Sequence, residues 1–217
     1  SSSRWRIESD ASKSNGKFLG LLYVANGDDE NEVKYKVQVK KAGWYQMTFR
    51  STALDFQWVS NFYVTVNDGK TINAREECTE QALSADKIWS IVDFGCVYLQ
   101  EGTNYVKIVS REKRAADNYI VFFLDNITFS NPAYKIKGVV PEKSLNVFEE
   151  NDTVAYTINM SYPAAVDKKR SFRVENYWGN EVCNNAFYIQ KDKASYKLQM
   201  GKLPLGWYKL FIYDEKG

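Results

Sequence analysis

The sequence predicts an all-β protein made of two β-sandwiches in tandem. Three observations carry this. Apolar residues recur mostly with period two; aromatic residues, chiefly Tyr and Phe, make up 15 % of the 217 positions; and Gly, Asn and Asp turn signals separate short runs at regular intervals. Helical periodicity is nearly absent. A chain of this length has room for two modest domains, each able to bury a core without disulfide staples.

In order along the chain, VKYKVQVKK sends Val33, Tyr35, Val37 and Val39 one way and Lys34, Lys36, Gln38 and Lys40 the other, an amphipathic strand with a wet side. AGWYQMTFR turns at Gly43 and places Tyr45, Met47 and Phe49 on one face. FYVTVNDGKTI reads as a hairpin, because Asn67, Asp68 and Gly69 tolerate positive φ. WSIVDFGCVYL is a further strand in which Gly95 marks a bulge. NYVKIVS after the turn EGTN and IVFFLDNITF complete the first set. SNPAYKIKGVVPEK, with Pro132, Gly138 and Pro141, breaks the rhythm and is the expected boundary, giving domains 1–131 and 132–217. Beyond it, TVAYTINM, SFRVENYW, SYKLQM and GWYKLFIYD alternate again, enough for a small immunoglobulin-like sandwich. DEKG then follows at once, so this second sandwich is expected to lack its last strand and the chain to be the front part of a longer protein. AGWYQMTFR and LGWYKLFIY share a glycine turn followed by an inward Tyr, read as one local solution used twice rather than a duplication.

Composition narrows the chemistry. With 29 basic and 27 acidic residues the net charge is +2, so no strong field favours nucleic acid or an anionic membrane. The absence of His removes the commonest general base, serine–histidine relays and most zinc or copper sites. Cys78, Cys96 and Cys183 lack metal-ligand spacing and are odd in number, which predicts no disulfide framework and leaves a Cys78–Cys96 pair open. No apolar run approaches the ~20 residues of a membrane span. The opening Ser1–Ser3 reads as a trimmed or mature chain. Glu76 with Glu77, and Glu149 with Glu150, are adjacent acids that on a strand point to opposite faces, so neither pair flanks a glycosidic bond and the fragment is expected to be noncatalytic.

RIESDA places Glu8 and Asp10 at i and i+2 on one strand face, where the charges repel unless a cation lies between them. A solvated face and a hard metal ion both answer this.

Put in order, IESDA, NGKFLGLL, EVKYKVQVKKAGWYQMTFRSTA, VYLQEGTNYVKIV and FLDNITF resemble the carbohydrate-binding modules of families 6 and 35, over most of residues 4–130. The resemblance implies a galactose-binding-like β-sandwich of jelly-roll topology. It also implies a structural calcium held by Glu8, Asp10 and Asp125. In such modules a sugar lies at the loop edge against aromatic rings, with an Asn just before the last strand's acid. Phe123 takes that Asn position here, and the usual loop aromatic falls near Lys87 or Ile88, with Trp89 expected to point into the core. The standard cleft is therefore dismantled. The alternative carbohydrate-binding residues are Trp58 in LDFQWVSN, and Asn118 and Tyr119 beside Asp117 in REKRAADNYI; burial in the core is the competing reading for each aromatic.

VENYWGNEV and KLPLGWYKLFIYDEKG are similar to the small immunoglobulin-like modules ahead of catalytic barrels in multimodular bacterial glycoside hydrolases. In VENYWGNEV, Tyr177 and Trp178 read either as a hairpin tip exposed for contact or, the favoured reading, as a pair packed beside the turn. The implied role is a secreted, periplasmic or cell-surface, noncatalytic carbohydrate-binding or architectural fragment that positions a downstream catalytic domain on polysaccharide. The alternative is a cell-surface adhesion or scaffold protein that binds another protein, for which an exposed patch at Trp44, Trp58 or Trp178 would speak.

Overall fold

The computed structural model describes residues 4–25, 30–54, 57–83 and 88–213; Lys87 and the closing DEKG run lie outside the described residues. The chain divides into two compact units, Ser1–Pro132 and Ala133–Gly217.

The first unit contains β1 (Arg6–Ser9), β2 (Lys17–Val24), β3 (Asn31–Val39), β4 (Gly43–Thr52), β5 (Tyr63–Val66), β6 (Thr71–Asn73), β7 (Thr79–Ala82), β8 (Trp89–Leu99), β9 (Gly102–Ser110) and β10 (Tyr119–Ser130). They form two antiparallel sheets, ordered β1-β2-β10-β4-β8-β7 and β3-β9-β5-β6. Leu21, Met47, Phe49, Val92 and Phe122 from the first sheet meet Val64, Val106 and Ile108 from the second in one buried cluster, a β-sandwich core. Aromatic rings fill its centre: Phe49 lies 4.4 Å from Phe94 and Phe62 4.4 Å from Phe122, centroid to centroid. Each fully buried Phe stabilises the fold by about 1.5–3 kcal/mol on transfer from water.

Local chemistry explains the strands. Val33, Tyr35, Val37 and Val39 pack against the core while Lys34, Lys36, Gln38 and Lys40 stay exposed, as period-two alternation requires. Asn67 adopts φ 51° in the β5–β6 hairpin. Gly95, at φ 74°, sits where the β4–β8 register shifts between Gln46 and Thr48, the bulge expected of it. Asn104 is buried at the β8–β9 turn; its Oδ1 accepts Gln100 N–H at 2.9 Å and its Nδ2 donates to Gln100 O at 2.8 Å. Glu76 and Glu77 lie not on a strand but in the one-turn helix α1 (Ala74–Glu77), where Glu77 pairs with Lys70 and accepts Asn73 N–H at 3.0 Å.

The second unit contains β11 (Ile136–Pro141), β12 (Val154–Met160), β13 (Lys168–Asn176), β14 (Glu181–Ile189), β15 (Ser195–Gly201) and β16 (Tyr208–Tyr213). Two three-stranded sheets, β11-β12-β15 and β14-β13-β16, close on Ile158, Met160, Phe172, Val174, Phe187, Ile189 and Leu198. β11 falls inside the stretch expected to be a boundary: IKGVVP pairs antiparallel with β12 despite Gly138, where the register shifts. The two Gly-Trp-Tyr segments share one device. Tyr45 Oη donates to Lys41 O and Tyr208 Oη to Pro204 O, each at 2.7 Å and each four residues upstream. None of the three cysteines is in a disulfide. Among the described residues no helix is long and apolar enough to cross a membrane.

Candidate functional site

Trp58 and Tyr119 are brought together at one end of the first unit. Trp58 lies on the β4–β5 connection, which is sewn to the start of β10 by Ser60 N–H to Val121 O at 2.7 Å and Val121 N–H to Ser60 Oγ at 3.0 Å. On its other side the connection is held where Glu80 accepts Leu54 N–H at 2.7 Å and Arg75 Nε donates to Leu54 O at 2.8 Å. Val59, Ser60 and Asn61 are buried, yet Trp58 keeps 44 % of its surface exposed. The scaffold thus fixes the backbone and leaves the ring outside.

Between Trp58 and Tyr119 stands Arg114. Its guanidinium carbon is 5.2 Å from the Trp58 centroid and 5.0 Å from that of Tyr119, within cation–π range of both. Nη1 donates to Trp58 O at 3.1 Å, and Nε and Nη2 donate to the two carboxylate oxygens of Asp117 at 2.7 and 2.5 Å. Such a two-pronged pair fixes the plane of the guanidinium as well as its position. Asp117 Oδ1 also accepts Tyr119 N–H at 2.9 Å, and Arg114 N–H bonds Tyr119 O at 2.8 Å, which folds the 111–118 loop back onto β10. The Arg114 hydrogen bonds hold the Asp117 carboxyl below the usual aspartate range, and Asp117 in turn raises Arg114. Asn118 contributes its carbonyl, which accepts Ala25 N–H at 2.8 Å and so ties the loop to the end of β2. The site has one exposed indole, one phenol and a cation whose charge is neutralised from within.

Arg114 was not among the residues singled out from sequence. REKRAADNYI shows only a polar run; its usable signal is the Arg114–Asp117 spacing of three, which in a loop has no fixed geometry.

The expected calcium ligands occupy three different settings. Glu8 is on β1, every residue of which is exposed. Asp10 Oδ1 accepts the Ser12 N–H at 2.9 Å and hydroxyl at 2.8 Å, Lys13 Nζ lies 3.5 Å from Oδ2, and the Ser12 bonds lower its pKa. The Asp125 side chain on β10 is fully buried; Oδ1 accepts Ser14 N–H at 2.7 Å and Oδ2 faces Arg50 Nη1 at 3.1 Å. The Asp10–Gly16 loop therefore does reach the last strand, helped by Asn126 Nδ2 donating to Ser14 Oγ at 2.7 Å. Among the described residues no three acidic or other ligating side chains converge on one point. As placed, these acids do not fit a shared calcium, because Arg50 stands against Asp125.

Trp89 does not point into the core. It pairs across β4 with Thr52 and stacks at 6.2 Å on Phe123, which also meets Phe18 at 5.5 Å, all on the sheet face opposite Phe122. Lys13 Nζ covers the Trp89 ring at 4.3 Å. The alternation of WSIVDF explains the correction: Ser90 and Val92 take the inward positions, so Trp89 is turned outward. Trp44 packs edge-on against Tyr98 at 5.5 Å and is half-buried. In the second unit Tyr177 and Trp178 touch each other at 5.0 Å but are both largely exposed, where packing beside the turn was expected.

No protein-family profile and no curated protein matches the chain. Among solved structures, it is similar to a Paenibacillus xanthan lyase at 12 % identity and TM-score 0.43, covering 97 % of this chain and 24 % of that one. A family 35 carbohydrate-binding module from Clostridium thermocellum aligns at 20 % identity and TM-score 0.39, over 58 % of this chain and 87 % of the module. A β-D-mannosidase from Dictyoglomus thermophilum aligns at 12 % identity and TM-score 0.32, over 88 % of this chain and 28 % of the enzyme. The chain spans about a quarter of the length of the xanthan lyase chain.

Proposed function

We propose that the first unit is a noncatalytic carbohydrate-binding module of galactose-binding-like type, which takes the apolar face of a neutral pyranose on Trp58. The observation that carries this is Trp58 itself, an indole held out on a backbone whose next residues are buried. Aromatic faces suit the C–H side of a sugar ring, and a fixed platform lowers the ordering cost of a weak contact. Arg114 and Tyr119 brace the ring from one side. Asp117 takes up the charge of Arg114, so the guanidinium itself is not a free cation for an anionic sugar. The sequence resemblance supports the same class of ligand.

In this reading the second unit is an immunoglobulin-like spacer. The chain is an accessory part of a glycan-processing protein working outside the cytoplasm, where tethering raises the effective concentration of a linked activity on its polysaccharide.

Titration calorimetry against plant, host and microbial oligosaccharides tests it. Trp58→Ala is expected to abolish binding of any hit, and Tyr119→Ala to weaken it. Full affinity in both variants would remove this surface from the proposal.

A further inference from the structure

The loops 142–153, 177–180 and 202–207 of the second unit lie at the same end of its sandwich, since Val154 pairs with Gly201 and Asn176 with Tyr208. Six large apolar side chains stand out there: Leu145, Val147, Tyr177, Trp178, Leu205 and Trp207, each 64–94 % exposed. Val147, Leu205 and Trp207 line a cavity of about 300 Å³ that reaches down to the core residue Val174; Leu145 and the Tyr177–Trp178 pair stand outside it.

These side chains are held out rather than left loose. Asn176 Oδ1 accepts the N–H groups of Trp178 and Asn180, both at 3.0 Å, and Gly179 turns the tip at φ 80°. Leu145 and Asn146 both adopt left-handed backbone, φ 60° and 57°, with Asn146 Oδ1 accepting Tyr156 Oη–H at 2.6 Å. The 202–207 loop is fastened by the Tyr208–Pro204 bond. Three exposed aromatics at about 150–250 Å² apiece, with three aliphatic neighbours, give an apolar patch on the order of 800 Å². That exceeds the roughly 300–600 Å² of an ordinary monomer's largest patch and matches one side of a standard interface.

The surrounding charge selects the occupant. Glu142, Glu149, Glu150, Asp152 and Glu181 stand against four lysines, Lys143, Lys197, Lys202 and Lys209; with Lys143 on Asp152 and Lys197 on Glu142, Glu149, Glu150 and Glu181 face Lys202 and Lys209, an acidic excess. An acidic rim repels an anionic lipid surface, and it repels an identical rim on a second copy. We propose that this end of the second unit docks on a partner protein whose apolar contact surface is ringed by Lys or Arg. This does not depend on sugar binding by the first unit.

The test is selection of a phage-displayed random peptide library on the whole chain. The expected peptides combine bulky apolar residues with Lys or Arg. Synthetic copies lose at least tenfold in affinity on the Trp178→Ser/Trp207→Ser variant and several-fold on Glu149→Gln/Glu150→Gln/Glu181→Gln. Should the double tryptophan variant fail to fold, Trp178→Ser alone, at the hairpin tip, gives the comparison. Three results would overturn the proposal: selected peptides indifferent to these substitutions or lacking basic residues; concentration-dependent dimerisation in sedimentation that the tryptophan variant abolishes; or co-flotation of the chain with phosphatidylcholine vesicles.

Discussion

Arg50 on β4 and Asp125 on β10 face each other at 3.1 Å, with the Asp125 carboxylate wholly buried and Ser14 N–H on its other oxygen. A buried carboxylate needs a cation, and a neighbouring strand supplies one. Breaking a pair of this kind leaves one charge uncompensated, at a cost of about 3 kcal/mol. Arg50→Met is therefore expected to lower the urea midpoint markedly, and a chelator to leave the melting temperature of the parent chain unchanged. Addition of calcium that raises the melting temperature of the parent would show instead that an ion displaces Arg50.

In the proposed site Arg114 braces the Trp58 ring through its cation–π contact and its bond to Trp58 O. Arg114→Met keeps most of the side-chain volume and removes both the cation–π contacts and the Asp117 pair. The exposed pair itself contributes little to stability. The expected result is a red shift of Trp58 emission and a fall in glycan affinity of about tenfold with little change in melting temperature, partly restored by Arg114→Lys. Unchanged emission in the Met variant would mean that Trp58 holds its place alone.

Acid tests the same contact with a defined sign. The Arg114 hydrogen bonds depress the Asp117 pKa in the folded chain, so its contribution is complete above the ordinary aspartate value of 3.8 and is lost as pH falls through the lower folded value. Trp58 emission should stay constant from neutral pH to about 4 and change below it. In Asp117→Asn that acid step should be missing.

Asn104 closes the β8–β9 turn with side-chain bonds to Gln100 N–H, Gln100 O and Gly102 O, and accepts from Asn67 Nδ2 at 3.0 Å. Asn104→Ala strands several of these groups at once. A loss of about 2–4 kcal/mol is expected in denaturant titration; a loss under ~1 kcal/mol would show that water replaces the amide.

Much of the fold is legible because its signals are local. VKYKVQVKK states its own buried face, and Asn67 and Gly95 announce the backbone they adopt. What was misread depends on neighbours. β11 carries Gly138 and ends on Pro141, so it looks like a linker, yet an edge strand tolerates both by pairing on one side only. Trp89 resembles core by size, but its facing follows from the position of Ser90 and Val92 opposite the second sheet. For Tyr177 and Trp178 the choice between an exposed tip and a packed pair turns on the Asn176 bonds that fix the tip, which nothing in VENYWGNEV records. Trp58 and Tyr119 were found as chemistry; the guanidinium joining them lies 56 residues from one and five from the other, a distance only folding removes.

The two aromatic cores, one on each side of Pro132, have a consequence for handling and for evolution. A cut between Ser130 and Ala133 leaves every residue of the first cluster on one side and every residue of the second on the other, because Tyr134 and Ile136 already pack in the second. Each cluster is thus written in one unbroken stretch of chain, and a gene break at that point divides neither.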